Sequence, residues 1–237
     1  MTCHLLAAVI LLAIAGSQQE PEFALIWKPV QGQELNYAFT MKVDSSEGKF
    51  EIRGDTLMKV TKIEENGDYT VESSSKNQKV AVDGHEEDLD DDPEPEVTKY
   101  TAKGQKIPPK DAKEDEEGPD PLAVNILDPI TDFASPAGPI KKGTTWTEEY
   151  KADEKLGRAA CKVVYEVIGA EKRGEYDCVR LSAKLTQTEG GSPAKAEGHF
   201  LISTKDTTLV DFVINVEGFR PEPAAPSSSV TFSLIRK

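Results

Sequence analysis

Residues 32–37 (Gly-Gln-Glu-Leu-Asn-Tyr) have a weaker copy 111 positions later, at residues 143–148 (Gly-Thr-Thr-Trp-Thr-Glu). A second stretch at residues 63–69 (Ile-Glu-Glu-Asn-Gly-Asp-Tyr) is echoed 105 to 107 positions later, at residues 168–176. Because the distance between the copies changes by only a few residues, the sequence predicts a duplicated structural unit.

Alternation of apolar and polar residues in both copies predicts β-strands with one buried face. Leu35 to Val43 show it in the first copy, and Cys161 to Val167 and Val210 to Val216 show it in the second. The pattern repeats often enough to predict ten or eleven strands. Open twisted sheets of more than about 10 strands curl or split, so we expect strong curvature.

The turns between these strands carry a second common feature. Asn66-Gly67 is typical of a tight hairpin, since both residues accept positive φ. In the second copy the corresponding turn is predicted between Gly169 and Gly174. Just before each turn the alternation slips, from Val60 to Ile63 and from Val167 to Ile168, and a β-bulge at each place would explain the slip.

The predicted fold is mainly β, a single strongly curved antiparallel sheet forming a half-barrel. It would be one domain, residues 16–237, made of repeats at about 28–103 and 139–218. Residues 120–138 form a helical linker that we expect against the concave face. The alternative is two separate five-stranded domains, but the linker is too apolar for a flexible tether.

The linker carries its own helical signals. Asp120 and Asp128 each precede a proline, as N-cap residues do. A proline cannot continue a helix from the residue before it, so Pro129 predicts two short helical turns. The residues predicted to share one apolar face are Leu122, Ile126, Ile130 and Phe133.

The first 15 residues have the pattern of a secretory signal peptide. Their apolar run, residues 5–15, is too short for a bilayer, which needs about 20 residues. Ala13-Ile14-Ala15 suits a signal peptidase, so we expect cleavage before Gly16 and an exported chain, periplasmic or secreted. No second apolar segment approaches membrane length, so no transmembrane segment is expected in the mature chain.

Charge is concentrated in one region. The chain has a net charge of −14, and residues 83–120 hold 15 acidic residues against five lysines, a net of −10. Nucleic acid is a poor partner because the chain has no basic footprint. The acidic loop at 83–96 is predicted to be solvated. It lacks the glycine at the sixth position of an EF-hand, where Pro93 stands, so no metal site is predicted.

Residues 139–146 (Pro-Ile-Lys-Lys-Gly-Thr-Thr-Trp) and 176–181 (Tyr-Asp-Cys-Val-Arg-Leu) resemble a family of uncharacterised exported proteins of planctomycete-type bacteria. That family has a Pro-x-Lys-x-Gly-x-x-Trp signature, and the resemblance covers most of residues 28–218. The expected architecture is also similar to the half-barrel lipoprotein carriers of the bacterial envelope. The resemblance implies export but no catalytic residue, since none is known for the family.

Reactive side chains are scarce. After signal removal only His85 and His199 remain, and no nucleophile, zinc or phosphate-loop motif is present. We therefore predict no enzyme, no catalytic residue and no cofactor. Cys161 and Cys178 are expected as buried free thiols, because the predicted hairpin register separates them by about 20 Å along the strands, too far for a disulfide.

Several aromatic residues are candidates for lining a ligand cavity on the concave face, although ordinary core packing explains them too. They are Trp27, Tyr37, Phe39, Trp146, Tyr150 and Tyr165. The first functional hypothesis is an exported non-enzymatic protein that binds a hydrophobic or amphipathic, lipid-like ligand. The second is a structural or interaction module of the cell envelope that meets other proteins and has a filled core. An enzyme using a histidine or the acidic loop is a distant third.

Overall fold

The computed structural model describes residues 21–89, 94–107, 120–132, 136, 140–153, 157–188, 193–221 and 225–237. The predicted signal peptide lies outside these residues. Twelve strands are present: β1 Glu34–Ser45, β2 Gly48–Ile63, β3 Tyr69–Val82, β4 His85–Asp88, β5 Glu96–Tyr100, β6 Lys106–Ile107, β7 Thr145–Tyr150, β8 Cys161–Arg173, β9 Tyr176–Gln187, β10 Lys195–Ser203, β11 Leu209–Phe219 and β12 Ser228–Arg236.

All twelve strands belong to one antiparallel sheet, in the order β6-β5-β3-β2-β1-β12-β11-β10-β9-β8-β7, with β4 paired only to β3. The chain starts at the centre, runs outward to β6, resumes at the opposite edge with β7 and returns to the centre, where β12 pairs with β1. The predicted fold class, mainly β with a single antiparallel sheet that is not closed, is confirmed.

Two strands were missing from the prediction. β4 lies inside the segment predicted as an acidic loop, where the exposed stretch His85–Asp88 pairs with the end of β3. β6 has only two residues. Neither strand alternates apolar and polar residues, so neither gives the signal on which strand prediction depends. Residues 90–93 of the acidic segment lie outside the described part of the chain.

The loops that open the two copies have matching hydrogen bonds. The Gly32 N–H donates to the Val60 carbonyl and the Gly143 N–H to the Val167 carbonyl, both at 2.8 Å. Both glycines have positive φ, 80° and 79°. The predicted bulges are confirmed, because the strand register shifts directly after Val60 and directly after Val167.

The second hairpin differs from its prediction. β8 continues to Arg173, so Gly169 lies inside the strand beside the bulge and the turn is Gly174 with its neighbour. A turn at Gly169 to Gly174 predicts that Cys178 lies across from about Val167, but Cys178 pairs with Glu171. The prediction of two buried free cysteines is confirmed. Cys161 packs in the main core, whereas Cys178 packs on the opposite face of the sheet.

The linker forms one continuous helical segment rather than two separate turns. A π-helical stretch, Ala123–Leu127, runs directly into the α-helix α1, Asp128–Thr131. The Asp120 side chain accepts the Leu122 N–H at 2.8 Å, as a cap does. Asp128 is not an N-cap as predicted, because α1 begins at Asp128 and its N-cap is Leu127, which makes no side-chain cap. The π-helical stretch ends just before Pro129, with a hydrogen bond from the Asp128 N–H to the Ala123 carbonyl. Phe133 lies outside the described residues.

The main core lies between this helical segment and one face of the sheet. Ile126 and Ile130 are fully buried against side chains of β8 to β12. The sheet is curved, because Tyr100 on β5 and Phe200 on β10 border the same cavity. Six strand spacings separate these strands, which would place them about 29 Å apart in a flat sheet.

Candidate functional site

A cavity of about 340 Å³ opens on the concave face, beside the part of the sheet that the helical segment covers. Its volume falls at the lower end of the range of small-molecule sites, about 300–1,000 Å³. Most of its wall is apolar. The lining residues are Leu25, Ile26, Trp27, Leu35, Tyr37, Met58, Tyr69, Tyr100, Lys103, Gly104, Thr131, Phe200, Ile202, Thr207, Thr208, Leu209 and Leu234.

Three aromatic rings form one wall of the cavity. Trp27 meets Tyr69 edge to face, with ring centroids 5.4 Å apart. Tyr69 stacks on Tyr100 at 5.3 Å, as the cross-strand pairing of these two tyrosines requires. Burial raises the pKa of Tyr69 well above its ordinary value and that of Tyr100 to about 12. Both phenols therefore stay protonated at physiological pH.

The residues before β1 cross the concave side and close part of the cavity. The Phe23 N–H donates to the Ile140 carbonyl at 2.7 Å, and the Thr207 hydroxyl donates to the Ile26 carbonyl at 2.9 Å. Between these two anchors Leu25 is buried in the main core. This N-terminal segment thereby brings Trp27 to the cavity wall.

Two members of the predicted cavity set, Trp27 and Tyr37, line this cavity. Tyr37 lies on β1. Its hydroxyl donates to the Leu209 carbonyl at 3.1 Å, and burial raises its pKa. Phe39 points to the same face but covers Gly54, where an added methyl group would lie 2.9 Å from the Phe39 ring. The Tyr37 ring thus contributes apolar surface, while its hydroxyl is engaged within the protein.

The other three predicted residues lie together under the helical segment. Trp146 stacks on Tyr165 at 4.9 Å, and the Tyr165 hydroxyl donates to the carbonyls of Pro129 and Ile130, both at 3.0 Å. The Arg158 guanidinium lies over the Tyr150 ring, 5.6 Å from its centroid. In this structure these residues pack in the filled part of the core and do not line the cavity.

Sequence reasoning missed Tyr69, Tyr100 and Met58 as lining residues. Tyr69 had a signal, since it shares its strand face with the buried Val71 two positions on. Tyr100 had none. It reaches the cavity through its pairing with Tyr69, across a long connection whose length does not fix a register.

The C-terminal end of the helical segment adds two carboxyl groups one helical turn apart. Burial raises the pKa of Asp128, and burial followed by the charge of Asp128 raises the pKa of Asp132 to about 6. The Asp132 charge in turn helps to raise the pKa of Tyr69 and Tyr100. This places Asp132 near the aromatic wall, although it does not line the cavity.

On the convex face, a cluster of ionisable side chains surrounds Asp211. Its Oδ2 lies 3.0 Å from the Arg173 guanidinium, and its Oδ1, buried without a hydrogen bond, lies 3.9 Å from His199 Nε2. Burial, with the nearby Arg180, lowers the pKa of His199, so the imidazole is neutral at pH 7. His85, in contrast, is an exposed residue of β4.

Within the described ranges no three His, Cys, Asp or Glu side chains come close enough to hold a metal ion. Among the helices of the same ranges, none has the length and apolarity to cross a membrane.

No protein-family model matches the chain, and comparison with curated proteins gives no significant match. Among solved structures, the hypothetical lipoprotein YmcC of Escherichia coli is 13% identical, covers 84% of each chain and has a TM-score of 0.31. A candidate lipoprotein of Parabacteroides distasonis is 11% identical over 92% of this chain and 100% of its own, with a TM-score of 0.34.

A third solved structure, a DUF1329-family protein of Desulfovibrio piger, is 12% identical. It covers 87% of this chain and 86% of its own, with a TM-score of 0.25. Likenesses this distant carry no inference about function.

Proposed function

We propose that this chain is an exported, non-enzymatic protein that holds a hydrophobic or amphipathic ligand on the concave face of its sheet. The observation that supports the proposal is the cavity of about 340 Å³, whose wall is mainly Leu, Met, Phe, Tyr and Trp side chains. A protein interior is normally packed without voids much larger than a water molecule, so an apolar space of this size is suited to a ligand.

The cavity differs from the other depressions on the molecule. A depression of about 500 Å³ beside the β1–β2 hairpin has more volume, but charged side chains such as Lys42, Asp44, Lys49 and Glu51 contribute to its lining. Ligand sites of small apolar molecules are lined mainly by hydrophobic and aromatic groups with few polar ones. The concave cavity has that composition and the hairpin depression does not.

Export belongs to the same proposal. It depends on the signal-like pattern of residues 1–15 and on the resemblance of residues 139–146 to exported bacterial proteins. An exported carrier of lipid-like molecules needs an apolar interior that is reachable from water, and an open half-barrel provides one.

The direct test is native mass spectrometry of the full-length product, expressed with its own N-terminus and purified without detergent from the compartment it reaches. The proposal predicts an added mass that organic solvent removes as a lipid-like molecule, on a chain shortened by about 15 residues. A clean mass without adduct, together with no uptake of added amphiphiles, would contradict ligand binding.

The second candidate is an interaction module of the cell envelope without a small-molecule ligand. It is favoured by the filled part of the concave face, where Ile126 and Ile130 complete an ordinary core. An apolar cavity that stays empty in the presence of amphiphiles would favour this candidate over the carrier.

A further inference from the structure

Among the described residues that line the cavity, one is charged, and it is a lysine. Lys103 lies at the rim in the turn between β5 and β6. The turn is fixed by hydrogen bonds from Gly104 N–H to the Thr101 carbonyl and from Thr101 N–H to the Gln105 carbonyl, both at 2.8 Å. A cation at this place stands out in a chain with a net charge of −14.

The hydroxyl of Tyr69 lies at the same corner of the rim. A methyl group added to Gly104 would lie 3.8 Å from the Tyr69 hydroxyl oxygen, so this hydroxyl borders the turn that carries Lys103. Its raised pKa keeps the phenol protonated. The corner therefore combines a hydroxyl donor with a turn that carries a lysine.

Most other polar groups that line the cavity already donate within the protein. The hydroxyl groups of Tyr37, Thr131 and Thr207 donate to backbone carbonyls, and that of Thr208 donates to the Asp206 carboxylate. In the described ranges Lys103 forms no ion pair and the Tyr69 hydroxyl has no hydrogen-bond partner. The donors left for a ligand thus include two at one corner of an otherwise apolar space.

We propose that the ligand of this cavity is a single-chain amphiphile with an anionic head group. The head lies between Lys103 and Tyr69, and the apolar chain lies along Met58, Leu209 and Leu234. This inference depends on the proposed function. The nearby Asp132 carboxylate opposes an anion at neutral pH, but Asp132 does not line the cavity, whereas Lys103 does.

The test is calorimetric titration of the full chain at pH 8 with three probes of equal chain length: dodecanoate, dodecanol and dodecyltrimethylammonium. The two ionic probes are kept below their micelle concentrations and dodecanol below its solubility limit. We expect dodecanoate to bind about tenfold more tightly than dodecanol, the usual size of a charge-assisted contact. Lys103→Gln should remove this difference and Lys103→Glu should reverse it in favour of the ammonium probe.

Two further variants separate the head group from the chain. Tyr69→Phe should weaken dodecanoate by about threefold and leave dodecanol unchanged. Lys99→Gln, an exposed lysine of β5 outside the cavity lining, is the matched control and should change nothing.

The outcomes distinguish this inference from the proposed function. Equal affinities for dodecanoate and dodecanol, insensitive to Lys103, would overturn the anionic head group and leave an apolar-ligand protein in place. Tightest binding of the ammonium probe would overturn it in favour of a cation near Asp132. Failure of all three probes to bind would count against the proposed function itself.

Discussion

The two halves of the sheet, β1 to β6 and β7 to β12, have a similar strand pattern. Their concave faces, however, are filled differently. In the second half, the pairs two and four residues before Val167 at the bulge are Tyr165 with Ala183 and Val163 with Leu185, all buried. At the matching places of the first half are Met58 with Ser73 and Thr56 with Ser75, none of them fully buried. At these places the first half therefore has partly buried side chains, three of them hydroxyl-bearing, where the second half has a fully buried core.

The helical segment explains why only one half is filled. It has nine helical residues, five in the π-helical part and four in α1, and spans about 14 Å at the rise of a helix. The eleven strands along the main path of the sheet span about 48 Å. The helical segment is much shorter than the sheet is wide, so a curved sheet with one such helix keeps an open portion.

The largest expected difference between the halves is in stability. Ile126→Ala removes a fully buried side chain of the filled half and should lower the free energy of unfolding by about 3 kcal/mol. Met58→Ala, on the wall of the cavity, should lower it by less than about 1 kcal/mol, since its side chain already borders empty space. Denaturant unfolding of both variants measures this; equal losses would mean that the halves are packed alike.

The second largest effect is a pH-dependent change in stability at Asp132, which lies at the border between the halves. The folded pKa of Asp132 is raised to about 6, so the folded state binds a proton more tightly than the unfolded chain does. The resulting penalty is complete above pH 6 and disappears as the pH falls through the unfolded value near 4. Asp132→Asn should therefore stabilise the protein by on the order of 1 to 2 kcal/mol at pH 8.

The same Asp132→Asn variant should have almost no effect at pH 3.5, where both states are protonated. Thermal unfolding at the two pH values gives the comparison. A stabilisation of the same size at both would show that the carboxyl charge is not its cause.

The smallest expected effect is a difference in stability between phenylalanine variants of two similarly buried tyrosines. Tyr165→Phe leaves the carbonyls of Pro129 and Ile130 without this donor and should lower the free energy of unfolding by about 1 kcal/mol. Tyr69→Phe removes a hydroxyl at the cavity rim and should cost less than about 0.5 kcal/mol. If the Tyr69 variant lost more stability than the Tyr165 variant, the assignment of filled and open halves would be reversed.

The features that could be predicted from the sequence are those that local apolar–polar periodicity determines. The strands, both bulges and the position of the helical segment follow from alternation and spacing, and the free cysteines were expected even though the predicted register of Cys178 was wrong. What could not be predicted depends on pairing across long connections. Tyr100 and β6 are examples, because loop length alone does not fix which residues of distant strands pair.

The weaker copy at residues 168–176 also shows that residues matched by a sequence repeat need not occupy matching places in the structure. Tyr69 and Tyr176 match in sequence, but Tyr69 lies on the concave face at the cavity. Tyr176 packs with Cys178, Leu201 and Val210 on the convex face. The longer second hairpin changes the face on which the matching residue lies, because each single-residue shift moves a side chain to the other side of a strand.

The measurement that tests the central claim most directly compares two equal substitutions on one face of β2. Met58→Trp places a large side chain in the cavity, whereas Ile52→Trp adds the same side chain on the same strand face outside the cavity lining. We expect Met58→Trp to reduce dodecanoate uptake at least about tenfold and Ile52→Trp to leave it unchanged, with both variants folded by circular dichroism. Undiminished uptake by folded Met58→Trp would contradict a ligand site in the open half of the sheet.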